Sequence, residues 1–163
     1  MKTVDIHLKQ RKQFKLLIKM VNLNKELIAP CGMNCGICSN YLGYKNNIHG
    51  KGFPNCIGCR PRDKQCAFLK KKCKDGLKLL KGQVEFCFEC SYYPCENLAG
   101  LDKRYREKYG MSMIDNLNEI KNRGINYFIE NQEKKYKCQK CSNLISIHNK
   151  KCFNCDKIIN WKS

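Results

Sequence analysis

Two cysteine pairs near the C-terminus constrain this chain more than any other feature. Cys138 and Cys141 are followed, after ten residues, by Cys152 and Cys155. Two residues separate the members of each pair, the spacing at which one tight turn presents two thiolates to the same ion. Two such turns close a tetrahedron of four sulfurs. Leu144, Ile145 and Ile147, between the pairs, suit the strands of a hairpin carrying both turns. The spacing predicts a zinc ribbon over residues 136–163. Four thiolates fill the coordination sphere and leave no open position, so the site is structural rather than catalytic. His148 lies between the pairs and reads as a surface or hairpin residue.

Ten more cysteines precede the ribbon: Cys31, Cys35, Cys38, Cys56, Cys59, Cys66, Cys73, Cys87, Cys90 and Cys95. Disulfides and metal sites compete to explain so many thiols. The N-terminal apolar run Leu16-Leu17-Ile18 is broken by Lys15 and Lys19, and no small-residue cleavage site follows. A secretory leader is therefore not expected, nor is a membrane span. A cytoplasmic protein is expected, and in a reducing compartment closely spaced cysteines are metal ligands or redox groups. Gly43, Gly50, Gly52 and Pro54 make the stretch between Cys38 and Cys56 mostly loop after a short helical turn over residues 39–44. Such a segment buries little apolar surface, so its order must come from metal–thiolate bonds. A structural zinc ion supplies about 10–16 kcal/mol of apparent binding free energy, which becomes folding free energy.

The ligand grouping of these ten is open at the level of sequence. Pairing Cys56/Cys59 with Cys87/Cys90 makes a second knuckle site, leaving Cys31, Cys35 and Cys38 to find a fourth ligand in Cys66, Cys73 or Cys95. His49 reads as a solvated loop residue. The Cys31-x3-Cys35-x2-Cys38 spacing matches that of radical S-adenosylmethionine enzymes. However, Gly36 stands where those enzymes place an aromatic residue, and the chain lacks the βα alternation of their partial barrel. Cys56-x2-Cys59-x6-Cys66 matches only the first half of a binuclear fungal DNA-binding cluster. Two or three zinc ions are expected, with an iron–sulfur cluster within residues 31–95 as the alternative, since both take four thiolates.

Cysteine disappears over residues 96–135 and helical periodicity takes its place. Leu98, Leu101, Tyr105 and Tyr109 form one stripe, closed by Gly110. Ser112 and Asp115 stand at capping-box spacing before the stripe Met113, Ile114, Leu117 and Ile120, which Gly124 closes. Ile125, Phe128 and Ile129 open a third helix. Near the N-terminus, Phe14, Leu17, Ile18 and Val21 share a helical face, with Lys9, Lys12, Lys15 and Lys19 largely off it. A basic amphipathic helix is expected there, packed on the cysteine-rich body.

The formal net charge is +18, from 32 Lys+Arg against 14 Asp+Glu. Three four-thiolate zinc sites would lower it to about +12. That charge suits an acidic protein or nucleic-acid partner. Yet only 6 of the basic residues are Arg, and base-edge and phosphate recognition leans on Arg forks. Three histidines, none in a Ser/His/Asp pattern, offer no general-base constellation, and no catalytic residue is expected.

Cys31-Gly-x-x-Cys35-x-x-Cys38, Cys56-x-Gly58-Cys59, Phe86-Cys87-x-x-Cys90 and Tyr93-Pro94-Cys95 resemble a cysteine-rich prokaryotic family, domain of unknown function 3795. Leu101-Asp102-Lys103-Arg104-Tyr105-Arg106, Tyr109-Gly110 and Ile114-Asp115-Asn116-Leu117 are similar to members that carry a C-terminal ribbon, which extends the resemblance over roughly residues 27–160. The resemblance implies a prokaryotic metal-binding protein and transfers no catalytic residue. It also points to Lys103, Arg104 and Arg106 as candidate contacts for an anion or acidic partner. The plainer reading is a solvated helix face with Tyr105 in the core.

The expected fold is a small metal-stabilised α+β protein: a basic helical extension (1–26), a cysteine-rich irregular metal-binding domain with a helical second half (27–135), and a zinc-ribbon hairpin (136–163). The expected role is a zinc-binding interaction module with a basic surface. A nucleic-acid-binding zinc protein and a redox enzyme using an incompletely ligated site in 31–95 are the alternatives.

Overall fold

The computed structural model describes residues 22–48, 56–62, 73 and 82–156. The amphipathic helix expected around residues 14–21, together with His49 and Cys66, lies outside the described residues. The described chain is mostly helical. It holds α1 (Ser39–Lys45), α2 (Glu96–Tyr109), α3 (Met113–Arg123) and α4 (Ile125–Tyr136). Single 3-10 turns lie at Lys25–Leu27, Cys35–Ile37 and Cys87–Glu89.

The helical boundaries follow from the residues that stop and start them. α2 ends where Gly110 turns left-handed (φ 64°, ψ 33°) and its amide bonds back to the Arg106 carbonyl. Ser112 then caps α3, its hydroxyl accepting from the Asp115 amide at 2.9 Å. α3 gives way at Gly124 directly to α4. The apolar stripes of these helices meet in one core. Met113, Leu117 and Phe128 are fully buried, as are Ile28 and Ile37 of the cysteine-rich segment. Each such side chain contributes about 1.5–3 kcal/mol by leaving water.

That core also fixes the first cysteine loop. Pro30 sits at the second position of a turn closed by Gly32 N–H to the Ala29 carbonyl at 2.9 Å. Ile28 and Asn34 pair across it as an antiparallel bridge. Asn34 is fully buried: its Oδ1 accepts from the Gly36 amide at 2.9 Å and its Nδ2 donates to Gln132 of α4 at 3.3 Å. Asn116 of α3 donates to the Gly32 carbonyl at 2.8 Å. At Gly32 (φ +83°) any Cβ would run into the Met113 carbonyl and Leu117. The backbone of α3 therefore approaches this loop as closely as glycine permits.

The C-terminal hairpin differs from expectation. Among the described residues there is no strand and no sheet. Residues 137–152 instead make two isolated antiparallel bridges, Lys137 with Leu144 and Ile145 with Cys152. The cysteine turns occupy the backbone where strands would extend: Cys138 N–H bonds to the Asn143 carbonyl at 2.7 Å and Ser142 N–H to the Cys138 carbonyl at 2.8 Å. Leu144 and Ile147 are nonetheless buried.

Candidate metal centres

Among the described residues, Cys138, Cys141, Cys152 and Cys155 form a group whose sulfurs all lie within 4.8 Å of one another. Cys138 Sγ and Cys155 Sγ are 4.0 Å apart, and Cys141 Sγ and Cys152 Sγ are 3.6 Å apart. A tetrahedron with metal–sulfur bonds of about 2.3 Å has edges of about 3.8 Å. The four sulfurs therefore stand where one ion can hold all of them. Each pair is shaped by its own turn. Asp156 closes the second, its amide bonding to the Cys152 carbonyl at 2.9 Å and its carboxylate accepting from the Cys152 amide at 2.7 Å.

Thiols packed this tightly do not ionise independently. Burial raises Cys141, but hydrogen bonds from the Asn143 amide, the Asn154 side chain and the neighbouring thiols outweigh it and hold its pKa below the ordinary value. Burial raises Cys152, while Cys155 rises through its hydrogen bond with Cys141 first and burial second. A bound cation relieves this mutual repulsion, and its binding releases the thiol protons.

Two further knuckles lie in the ten-cysteine region, and they share one geometry. In Cys35–Ile37 and Cys87–Glu89 the chain makes a 3-10 turn whose first residue is cysteine. The amide of the next cysteine closes it, Cys38 N–H to the Cys35 carbonyl at 3.0 Å and Cys90 N–H to the Cys87 carbonyl at 3.1 Å. Cys38 (φ −77°, ψ 131°) and Cys90 (φ −78°, ψ 137°) have nearly the same backbone. Cys38 and Cys95 also occupy the N-cap positions of α1 and α2.

Burial and mutual repulsion both disfavour the thiolate at two of these positions. Burial first, and then Cys35, push Cys38 up to about 12, with Cys56 adding to the rise. Burial, then Cys73, Cys95 and Cys90, push Cys87 up to about 12. Among the described residues no three of these earlier cysteines come as close together as the C-terminal four do. Cys31 and Cys35 are buried in the core, and Cys59 packs against it. No disulfide joins any two of the described cysteines.

Three residues outside the cysteines organise this region, and sequence reading missed their roles. His148 is only partly exposed. Its Nδ1 accepts from the Ser39 amide at 3.2 Å, and its Nε2 lies 3.0 Å from the Tyr105 hydroxyl. Arg60 donates Nε to the Ile28 carbonyl at 2.7 Å and Nη2 to the Glu85 carbonyl at 3.3 Å, with its guanidinium over the Phe86 ring. It thereby ties the segment after Cys59 to the segments before Cys31 and Cys87. Asp102 is buried on α2, where it accepts from the Ser112 hydroxyl at 2.7 Å, the Ile114 amide at 3.0 Å and Arg106 Nε at 2.7 Å. Arg106 spends its other arm on Asp115 at 2.8 Å. Its donors thus serve the α2–α3 junction, whereas Lys103 and Arg104 are exposed.

Paired cysteine turns on a small helical core, ending in a compact four-thiol group, define a cysteine-rich protein with a potential metal site. Residues 27–100 match the model of a family described as "Protein of unknown function (DUF3795)", which bears out over that stretch the resemblance carried by the cysteine spacing. Residues 101–160, which the resemblance also took in, lie beyond the match. No curated protein and no solved structure matches the chain. Among the described residues no helix is long and apolar enough to cross a membrane.

Proposed function

We propose that the chain is a cytoplasmic zinc-binding module of prokaryotic type, folded around thiolate-held ions and presenting a basic surface to an acidic protein or nucleic-acid partner. The observation that carries this reading is the approach of Cys138, Cys141, Cys152 and Cys155 to within 4.8 Å of one another. That closeness favours a single ion. An iron–sulfur cluster distributes its thiolates over separate irons and holds them farther apart. In this reading residues 136–163 are a zinc ribbon reduced to its two knuckles, and residues 27–135 are the body on which it sits.

Support for the partner comes from charge. Lys103, Arg104, Lys134, Lys135, Lys137 and Lys140 are all exposed. With Arg scarce, the contact would be one of charge rather than base reading.

Elemental analysis of the full chain purified without added metal tests the reading. Zinc bound at more than one equivalent supports it, and a metal-free folded protein ends it. Mobility shift with RNA and DNA across a salt series tests the nucleic-acid branch. Binding that weakens steeply with salt supports it, and no binding at low salt leaves the acidic-protein branch alone.

A further inference from the structure

We infer that a polar cavity between α3 and α4 binds a small zwitterion that carries an amide, either a free carboxamide amino acid or a dipeptide. The inference goes beyond the metal reading above and does not depend on it.

The cavity has a volume of about 620 Å³, within the span of small-molecule sites. Two amide side chains in its lining are more than nine-tenths buried, Asn116 (8% exposed) and Gln132 (4% exposed). Each is fixed at one end by the first cysteine loop. Asn116 Nδ2 donates to the Gly32 carbonyl at 2.8 Å, which leaves Oδ1 as an acceptor. Gln132 is oriented by a relay. The Gly36 amide donates to Asn34 Oδ1, so Asn34 presents Nδ2, and Gln132 meets it with Oε1 at 3.3 Å. Gln132 Nε2 is then left as a donor. Among the described residues neither Asn116 Oδ1 nor Gln132 Nε2 has a hydrogen-bond partner. Nor is any side-chain polar atom there both unpartnered and cut off from solvent. These two atoms therefore open on the cavity. They offer an acceptor and a donor, the complement of the N–H and C=O of an amide. Because the loop already holds both side chains, little binding energy goes into ordering them.

Charge around these amides narrows the ligand further. Asp115 and Glu119 stand at i, i+4 on one face of α3, and both line the cavity. Arg106 engages Asp115 Oδ1 and Asn131 engages Glu119 Oε1, so each carboxylate keeps its second oxygen for a ligand. From α4 come Lys134 and Lys135, both exposed. A lining of both signs favours a molecule of both signs over a simple anion or cation. An ammonium suits Asp115 and Glu119, a carboxylate suits Lys134 and Lys135, and an amide suits Asn116 and Gln132.

Isothermal titration of the full chain with L-glutamine and with glycylglycine tests this. Saturable one-site binding of either supports the inference, and the better probe shows whether the amide belongs to a side chain or to a peptide bond. The N-acetylated and the C-amidated forms of that probe each lose one charge and should bind at least about tenfold more weakly. Lys134→Ala and Glu119→Gln should weaken the parent probe similarly, while Lys108→Ala, exposed on α2, should bind as the wild type does. Gln132→Met removes the amide donor and should also lose affinity. No binding of either probe overturns the inference, as does undiminished binding of both blocked forms or of the parent probe to Lys134→Ala. Metal content measured on the same samples separates the two readings. A chain that holds metal but binds neither probe overturns this inference alone, and a chain that binds a probe but holds no metal overturns the metal reading alone.

Discussion

His148 Nδ1 accepts a hydrogen bond from the amide of Ser39, 3.2 Å away. Ser39 directly follows Cys38 and opens α1, so its amide has no partner within the helix. The C-terminal cysteine module supplies one. Next to it, the Ile147 amide donates to the Ile37 carbonyl at 2.9 Å, inside the Cys35–Cys38 turn. On its other side the His148 ring meets Tyr105 and Tyr109 of α2. The four-thiol module is thus fastened to the first knuckle by two consecutive residues.

This contact requires a neutral imidazole, because Nδ1 must accept. Burial first, and Lys150 second, hold the His148 pKa down at about 4. The unfolded chain takes up its proton near 6.5, ahead of the folded one. Stability is therefore full above about 6.5 and falls as pH drops from there toward about 4. The total is at most about 3 kcal/mol, of which about 2 kcal/mol goes between pH 7 and 5. Urea unfolding of metal-loaded wild type and His148→Gln at those two pH values checks this. The variant should lose less stability on acidification, and equal losses would count against the buried histidine.

Asp102 predicts a second dependence on acid. Burial raises its pKa, but the Ile114 amide, Arg106 and Ser112 together outweigh burial and hold the carboxyl below its ordinary value. A depressed carboxyl contributes stability above the unfolded value of about 4, and that contribution is lost as pH falls through the folded value. Asp102→Ala leaves the buried Ser112 hydroxyl and the Ile114 amide without their acceptor and should cost roughly 3 kcal/mol. Asp102→Asn keeps an acceptor and should cost about 1 kcal/mol. Thermal unfolding of the two variants should rank them in that order.

Gly32 and Gly36 separate backbone from side-chain crowding. A Cβ at Gly32 meets the Met113 carbonyl, which is backbone, in a left-handed conformation. Gly32→Ala should destabilise by more than about 2 kcal/mol. At Gly36 the closest atom is the end of the flexible Leu23 side chain, so Gly36→Ala should cost less. Denaturant midpoints decide the order, and equal costs would contradict the close approach of α3.

Local signals carried most of the secondary structure. The stripes and stops at Gly110 and Gly124, and the Ser112 cap, are all written within a few residues, and the helices formed where those signals lie. The C-terminal four-thiol group was legible for the same reason, since spacing alone restricts what its two turns can do. His148 and Asp102 were not. His148 meets a residue 109 positions away, and nothing beside it in sequence reports that distance. Asp102 sits among charged neighbours in a run that reads as solvated, yet it is buried because α3 begins against it. The grouping of the ten earlier cysteines failed to emerge because equal spacings permit several pairings.

The central claim is that Cys138, Cys141, Cys152 and Cys155 hold one tetrahedral ion that secures the C-terminal module. Cobalt substitution reads it most directly, by comparing the visible spectrum and metal content of the wild type with those of Cys152→Ser. The account predicts thiolate-to-cobalt and tetrahedral ligand-field bands in the wild type, with loss of one cobalt equivalent and its share of the bands in the variant. Full retention of cobalt and spectrum in Cys152→Ser would contradict it.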